Sequence, residues 1–151
     1  MIKLCDNIND IVNIWQEAFG DTKKEILFFV NNVKNARCLA YYDNEKAAAL
    51  MYVVDCKVKE KSAFYVYAAC TLNEYRRQGL MTQLLSYANK QYAPLCLIPA
   101  NESLIDYYSK RGFRKQLGTD CVSFNEIPEI EEYLFEGCEL EEPVLLMYEG
   151  D

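Results

Sequence analysis

The run Ala63-Phe64-Tyr65-Val66-Tyr67-Ala68-Ala69-Cys70-Thr71-Leu72, followed by Asn73-Glu74-Tyr75-Arg76-Arg77-Gln78-Gly79-Leu80-Met81, is where the chain changes period. Up to Leu72 the residues are the Tyr, Val and Ala of a strand. From Asn73 onward, Leu80, Met81, Leu84, Leu85 and Ala88 recur on one face of a helix expected from about Arg77 to Gln91. Pro94 to Pro99 reads as a short apolar strand. Asn101 then caps a second helix with inner face Leu104, Ile105 and Tyr108, and Gly112 stops it. Asp106 and Lys110 form an i,i+4 pair on its outside. Residues 63–113 are therefore strand–helix–strand–helix, and such a crossover makes the two strands parallel neighbours.

Working outward toward the N-terminus, Ala47–Val58 and Arg37–Tyr42 read as two more strands, joined to each other through Asp43-Asn44-Glu45-Lys46 and to the third through Lys59-Glu60-Lys61-Ser62. Before them stand two helices. Ile8, Ile11, Val12, Trp15 and Phe19 share one helical face, with Asp6 or Asn7 as N-cap and Gly20 as stop. Thr22-Lys23-Lys24-Glu25 is a capping box opening a second helix. Its face is Ile26, Phe29, Val30 and Val33. Leu27 and Phe28 fall off that face, so this helix either buries two sides or lines a pocket. Met1–Cys5 is a short first strand. Toward the C-terminus, Phe113–Phe124 is expected to hold a strand, Glu126–Glu142 is acidic and can carry a short helix, and Val144–Tyr148 is a final strand. With 151 residues and no linker, the chain is expected to be one domain, residues 1–151.

Composition removes several function classes. There is no histidine, which excludes a Ser-His-Asp triad, a Cys-His pair and a His-ligated metal site. Any proton must move through a carboxylate, Tyr, Lys, Cys or water. Seven cysteines are scattered without Cys-x-x-Cys spacing, so no metal site is expected; they read as free thiols in a reducing compartment. A net charge of −7 disfavours nucleic acid as a partner. No apolar run is long enough to span a bilayer and no signal peptide is visible, so a soluble, cytoplasmic protein without membrane contact is expected.

The loop Arg76-Arg77-Gln78-Gly79-Leu80-Met81 has the makings of an anion site. Gly79 lets backbone approach a ligand, the first helical turn offers unpaired N–H groups, and two arginines add charge. By itself it is equally well an ordinary solvated helix start. The second helix tips the balance. Asn101, Leu104, Tyr107, Tyr108, Gly112 and Phe113 occur as Asn-x-x-Leu-x-x-Tyr-Tyr-Ser-Lys-Arg-Gly-Phe. With both motifs in order, the chain resembles the GCN5-related N-acetyltransferase (GNAT) superfamily. That superfamily has Gln/Arg-x-x-Gly-x-Gly/Ala after its fourth strand and Asn-x-x-Ala-x-x-x-Tyr-x-x-x-Gly-Phe after its fifth. Arg76, Gly79, Asn101, Tyr108, Gly112 and Phe113 fit; Met81 and Leu104 stand where small residues are usual.

The resemblance implies a mixed, mostly antiparallel α/β sheet flanked by helices, with splayed central parallel strands. It implies acetyl-CoA or another acyl-CoA as cofactor. Its pantetheine arm would lie along Ala69, Cys70, Thr71 and Leu72, past the small Ala68 and Ala69, and its pyrophosphate on Arg76 to Met81, with Asn101 as a further contact. Tyr108 would protonate the departing thiolate; Tyr107 is turned about 100° away around the helix. The implied reaction is N-acyl transfer to a primary amine, of a small molecule or a peptide, by direct attack in a ternary complex. Candidate bases are Asp55, Glu17, Asp21, Tyr65 and Tyr67, each of which also has a purely structural explanation. An acyl-Cys70 route lacks a histidine to activate the thiol. The acidic segment 126–142 hints at a cationic acceptor, though a solvated acidic surface explains it too. The rival reading of another class is a CoA-binding sensor or interaction module that performs no chemistry.

Overall fold

Local signals set the first elements. In the computed structural model, which describes residues 1–149, Asn7 caps helix α1 (Ile8–Phe19) by accepting from the Asp10 N–H, and Gly20 ends it in the left-handed region at φ 73°. Thr22 and Glu25 form the complete capping box of α2 (Lys23–Asn32). Ile26 and Phe29 of α2 are fully buried. Phe28, off that face, stacks on Tyr133 at 5.8 Å between ring centroids, so α2 does use a second side.

Strands β1 (Ile2–Leu4), β2 (Ala36–Asp43), β3 (Lys46–Val58) and β4 (Lys61–Thr71) form an antiparallel meander in sequence order. Strand β5 (Leu95–Leu97) lies beside β4 and parallel to it. Beyond it the order runs through β8 (Val144–Met147) to β6 (Lys115–Gly118), both antiparallel, while β7 (Val122–Phe124) pairs with the far end of β3. This is a mixed, mostly antiparallel sheet.

Residues 47–54 of β3 are buried without interruption because helices cover both faces. On one side Leu50, Tyr52 and Val54 pack with α1, α2 and α5 (Pro128–Phe135). On the other Met51 and Val53 pack with α3 (Leu80–Gln91) and α4 (Glu102–Ser109). The alternation is the period-two pleat of a strand.

Two boundaries differ from the sequence expectation. Helix α3 begins at Leu80, not Arg77. Arg77 and Gly79 both take positive φ, 64° and 77°, which breaks helical continuity and leaves 76–79 as a loop. The expected strand Phe113–Phe124 is two short strands, β6 and β7, separated by a tight turn at Thr119–Cys121. The break lets the chain leave β8 at one edge and reach the end of β3. All seven cysteines are free thiols. Among the described residues no helix is long and apolar enough to cross a membrane, and no cluster of metal-binding side chains occurs.

Candidate active site at the splayed strands

The register of β4 creates the site. Leu50 pairs with Cys70 and Tyr52 with Tyr67, so Ala68 and Ala69 together oppose Met51. This is a β-bulge, and Ala68 takes the left-handed φ of 56° that it requires. On the other edge, β4 pairs with β5 only at Phe64–Leu95 and Tyr65–Cys96. Past Tyr65 the two parallel strands diverge, and the β5-facing edge of β4 has no strand partner. Two clefts open into this gap.

The first cleft, about 470 Å³, runs over Ala69, Cys70 and Thr71 to Arg76, Arg77, Gly79, Leu80 and Met81. Its end wall is the first turn of α3, whose N–H groups have no intrahelical acceptor and no side-chain cap. Nothing lies within 4 Å of a Cβ built on Gly79, so the glycine serves its backbone conformation. The Arg76 guanidinium donates through Nε to Thr71 O at 3.3 Å, which keeps that charge against the strand end. An open strand edge, a set of unpaired amides and arginines beside them suit an extended amide-bearing chain ending in a pyrophosphate.

Three sequence-derived residues lie elsewhere. Leu72 is buried, with its N–H bonded to Ala48 O at 2.9 Å. The Gln78 side chain turns back to Glu74 O at 3.3 Å. Asn101 caps α4 through the Leu104 N–H at 3.1 Å and lines the second cleft.

That second cleft, about 460 Å³, lies on the far side of the gap, between Tyr65, Tyr67, Ala68 and the β5–α4 connection. Phe19, Ala69, Leu104 and Tyr108 line both clefts. Tyr108 is therefore at the junction. It is 9% exposed, and among the described residues its hydroxyl has no hydrogen-bond partner, while its ring packs edge-on against Tyr107 and Phe113. Burial, with the neighbouring Tyr107, pushes its pKa up to about 12 against a small opposing effect of Arg111. The phenol thus stays a proton donor at neutral pH.

The candidate bases separate. Asp55 is paired with Arg37 at 2.7 Å and lines a different hollow. Glu17 accepts from the Asn73 N–H at 2.8 Å. Tyr65 donates its hydroxyl to Leu134 O at 2.8 Å. Asp21 and Tyr67 line the second cleft. Asp21 is fixed by the indole N–H of Trp15, which donates to Oδ2 at 2.8 Å. Tyr67 stands on Trp15 and Phe29, ring centroids 5.8 and 4.9 Å away, in an aromatic cluster that fixes the cleft floor. Burial raises the Cys70 thiol, more than Arg76 lowers it, so the thiolate needed for an acyl-cysteine is disfavoured.

Sequence reasoning missed Arg111, Glu136 and Glu139. Arg111 lines the first cleft. It donates to Thr82 Oγ1 at 2.9 Å and Tyr107 O at 2.8 Å, and its guanidinium lies 3.5 Å from the Tyr107 ring centroid. The i,i+4 spacing of Tyr107 and Arg111 was the available signal. Glu136 and Glu139 line the second cleft; they belong to the acidic segment 126–142, but nothing local singles these two out from its other carboxylates.

Comparison with known proteins agrees with this geometry. The sequence profile of the Acetyltransferase (GNAT) domain matches residues 5–115. No curated protein sequence matches the chain. Among solved structures, an HPA2-related acetyltransferase from Corynebacterium glutamicum superposes with TM-score 0.70 at 14% identity, covering 98% of this chain and 94% of that one. The GNAT N-acetyltransferase YhbS from Escherichia coli, solved with CoA, gives 0.59 at 17% identity over 75% of this chain and 67% of that one. The aminoglycoside 6'-N-acetyltransferase from Acinetobacter haemolyticus gives 0.57 at 17% identity over 74% and 87%. Matched across most of its length, and folded around the splayed strands that the match spans, the chain belongs to the GNAT acetyltransferase family.

Proposed function

We propose that this chain, as one domain over residues 1–151, transfers an acetyl or other acyl group from acyl-CoA to a primary amine by direct attack in a ternary complex. The observation that carries the reading is Tyr108, a buried phenol without a protein partner, at the one place where the two clefts meet. Acyl-CoA is the cofactor of the first cleft. Ala69, Cys70 and Thr71 flank the pantetheine arm there. Arg76, Arg77 and the amides from Gly79 to Met81 hold the pyrophosphate, with Arg111 beside them on Thr82. The thioester supplies the acyl group. The amine enters from the second cleft; one structural neighbour is an aminoglycoside 6'-N-acetyltransferase, an enzyme for an amine acceptor.

The new C–N bond forms as the C–S bond breaks. Tyr108 gives its proton to the leaving sulfur, and the proton lost from the attacking nitrogen passes through water to restore the phenol. Backbone donors on the open edge of β4 polarise the thioester carbonyl. Proximity across the gap supplies much of the rate, since well-oriented reactants gain up to about 7–11 kcal/mol. Seven free thiols fit a reducing cytoplasm.

The test is calorimetry with acetyl-CoA followed by free-thiol release across a panel of amines, in wild type and Tyr108→Phe. Binding with turnover in wild type and a large loss of turnover in Tyr108→Phe is expected. Binding without turnover of any amine overturns the transfer reading.

A further inference from the structure

We infer that the acceptor is an aliphatic diamine or a longer linear polyamine, with one nitrogen at Tyr108 and a second, charged nitrogen between Asp21 and Glu136. The inference rests on the proposed transfer reaction and names its substrate class.

The second cleft has two chemically different ends. Near Tyr108 its walls are Phe19, Ala69 and Leu104, where an ammonium would lose its hydration and a neutral amine, the reactive form, is favoured. Asp21, Glu136 and Glu139 also line it and do not line the first cleft, and Asp21 and Glu136 stand together beside Tyr67. They come from two distant parts of the chain, the α1–α2 turn and the segment after α5. Both parts are fixed in place. The Trp15 indole holds Asp21. The Glu139 N–H bonds Ala100 O at 2.7 Å, and Cys138 Sγ donates to Pro99 O at 3.3 Å, which pins the second segment to the β5–α4 connection.

No Lys or Arg lines this cleft, and among the described residues none of the three carboxylates has an ion-pair partner. Asp21 is half-buried while Glu136 and Glu139 are exposed, so in a chain already at −7 this part of the cleft carries a negative potential that a cation would complement. Tyr67 registers it: its phenol is raised first by burial and then by Asp21 and Glu136. Tyr67 presents an aromatic face to this cleft beside Asp21 and Glu136, a surface for the methylenes that link two nitrogens, while Tyr65 is buried below it. The independent mark of a ligand is the Tyr108 side chain, nine-tenths buried, with an unpartnered hydroxyl, on the lining of the same cleft. A monoamine satisfies one end only.

The experiment measures kcat/KM with acetyl-CoA and diaminobutane, spermidine, aminobutanol or butylamine, with acetyl-CoA binding followed separately by calorimetry. The diamine is expected to exceed the amino alcohol by about tenfold, and Asp21→Asn and Glu136→Gln are each expected to cut that ratio about threefold. Added salt should raise KM for spermidine more than for butylamine. Turnover of all four with a ratio near one overturns the second-cation site while the transfer reaction stands. A high ratio unchanged in both variants overturns the assignment to these carboxylates. Bound acetyl-CoA with no thiol release from any amine removes the transfer reaction, and this inference with it.

Discussion

The indole N–H of Trp15 donates to Asp21 Oδ2 at 2.8 Å, so a core residue that is 1% exposed fixes a carboxylate in the second cleft. The bond joins stability to recognition at one side chain. Asp21→Ala leaves a buried donor without an acceptor and is expected to cost about 1–3 kcal/mol. Asp21→Asn keeps an oxygen for the indole and is expected to cost well under half of that. Urea titration of both variants checks the difference. It also supplies the folded control for the acceptor experiment, because Asn removes the charge and keeps the anchor.

Tyr108→Phe removes only a hydroxyl that has no protein partner, so stability is expected to stay within about 0.5 kcal/mol of wild type. The proton donor is lost, and kcat is expected to fall about a hundredfold or more while the dissociation constant for acetyl-CoA changes little. Single-turnover kinetics beside calorimetry separates the two quantities. An equal fall in both would make Tyr108 a binding residue.

The buried phenols also set the alkaline limit of the fold. Tyr108 is pushed up to about 12, chiefly by burial, and burial likewise raises Tyr52, Tyr65 and Tyr67. An unfolded tyrosine ionises near about 10. Above that pH the unfolded chain has released protons that the folded chain retains, so stability is full below about pH 10 and falls as pH rises through the folded values. Denaturation midpoints are expected to be flat with respect to these groups from pH 7 to 9 and to drop steeply from pH 10 to 12.

Arg111→Lys keeps the charge and loses the geometry. An ammonium cannot span Thr82 Oγ1 and Tyr107 O while lying flat on the Tyr107 ring. Affinity for acetyl-CoA is expected to weaken by about 1–2 kcal/mol, close to tenfold, with a steeper salt dependence than for Arg111→Ala, because the charge is kept. Calorimetry at two salt concentrations measures both.

Ala68 sits at φ 56°, a conformation that disfavours any side chain with a Cβ. Ala68→Gly is expected to stabilise the chain by about 1 kcal/mol, and Ala68→Val to destabilise it by more than that. Thermal unfolding checks the sign. If the bulge is what opens the cleft, acetyl-CoA binding survives Ala68→Gly.

Much of this molecule is written locally. Asn7, Thr22 with Glu25, and Asn101 are caps that act within three residues, so α1, α2 and α4 were readable from their first turns. The strand read at Ala63–Leu72, the loop Arg76–Met81 and the order of Asn101, Tyr108 and Phe113 pointed to the family for the same reason: spacing along one strand and one helix is a property of consecutive residues. The start of α3 was misplaced because Arg77 takes a positive φ, which its residue type does not announce.

The second cleft was decided only by tertiary structure. The bulge at Ala68 and Ala69 exists through their register against Met51, and the gap exists because β4 and β5 part after Tyr65 and Cys96. Asp21 and Glu136 are more than a hundred positions apart, so no periodicity relates them. They share a cleft because α1, α2 and α5 pack on the same face of the sheet. Local sequence determined which helices and strands form, since caps and periods act over a few residues. The packed sheet decided which side chains face one another across the splay, since long-range pairing has no signature in local spacing.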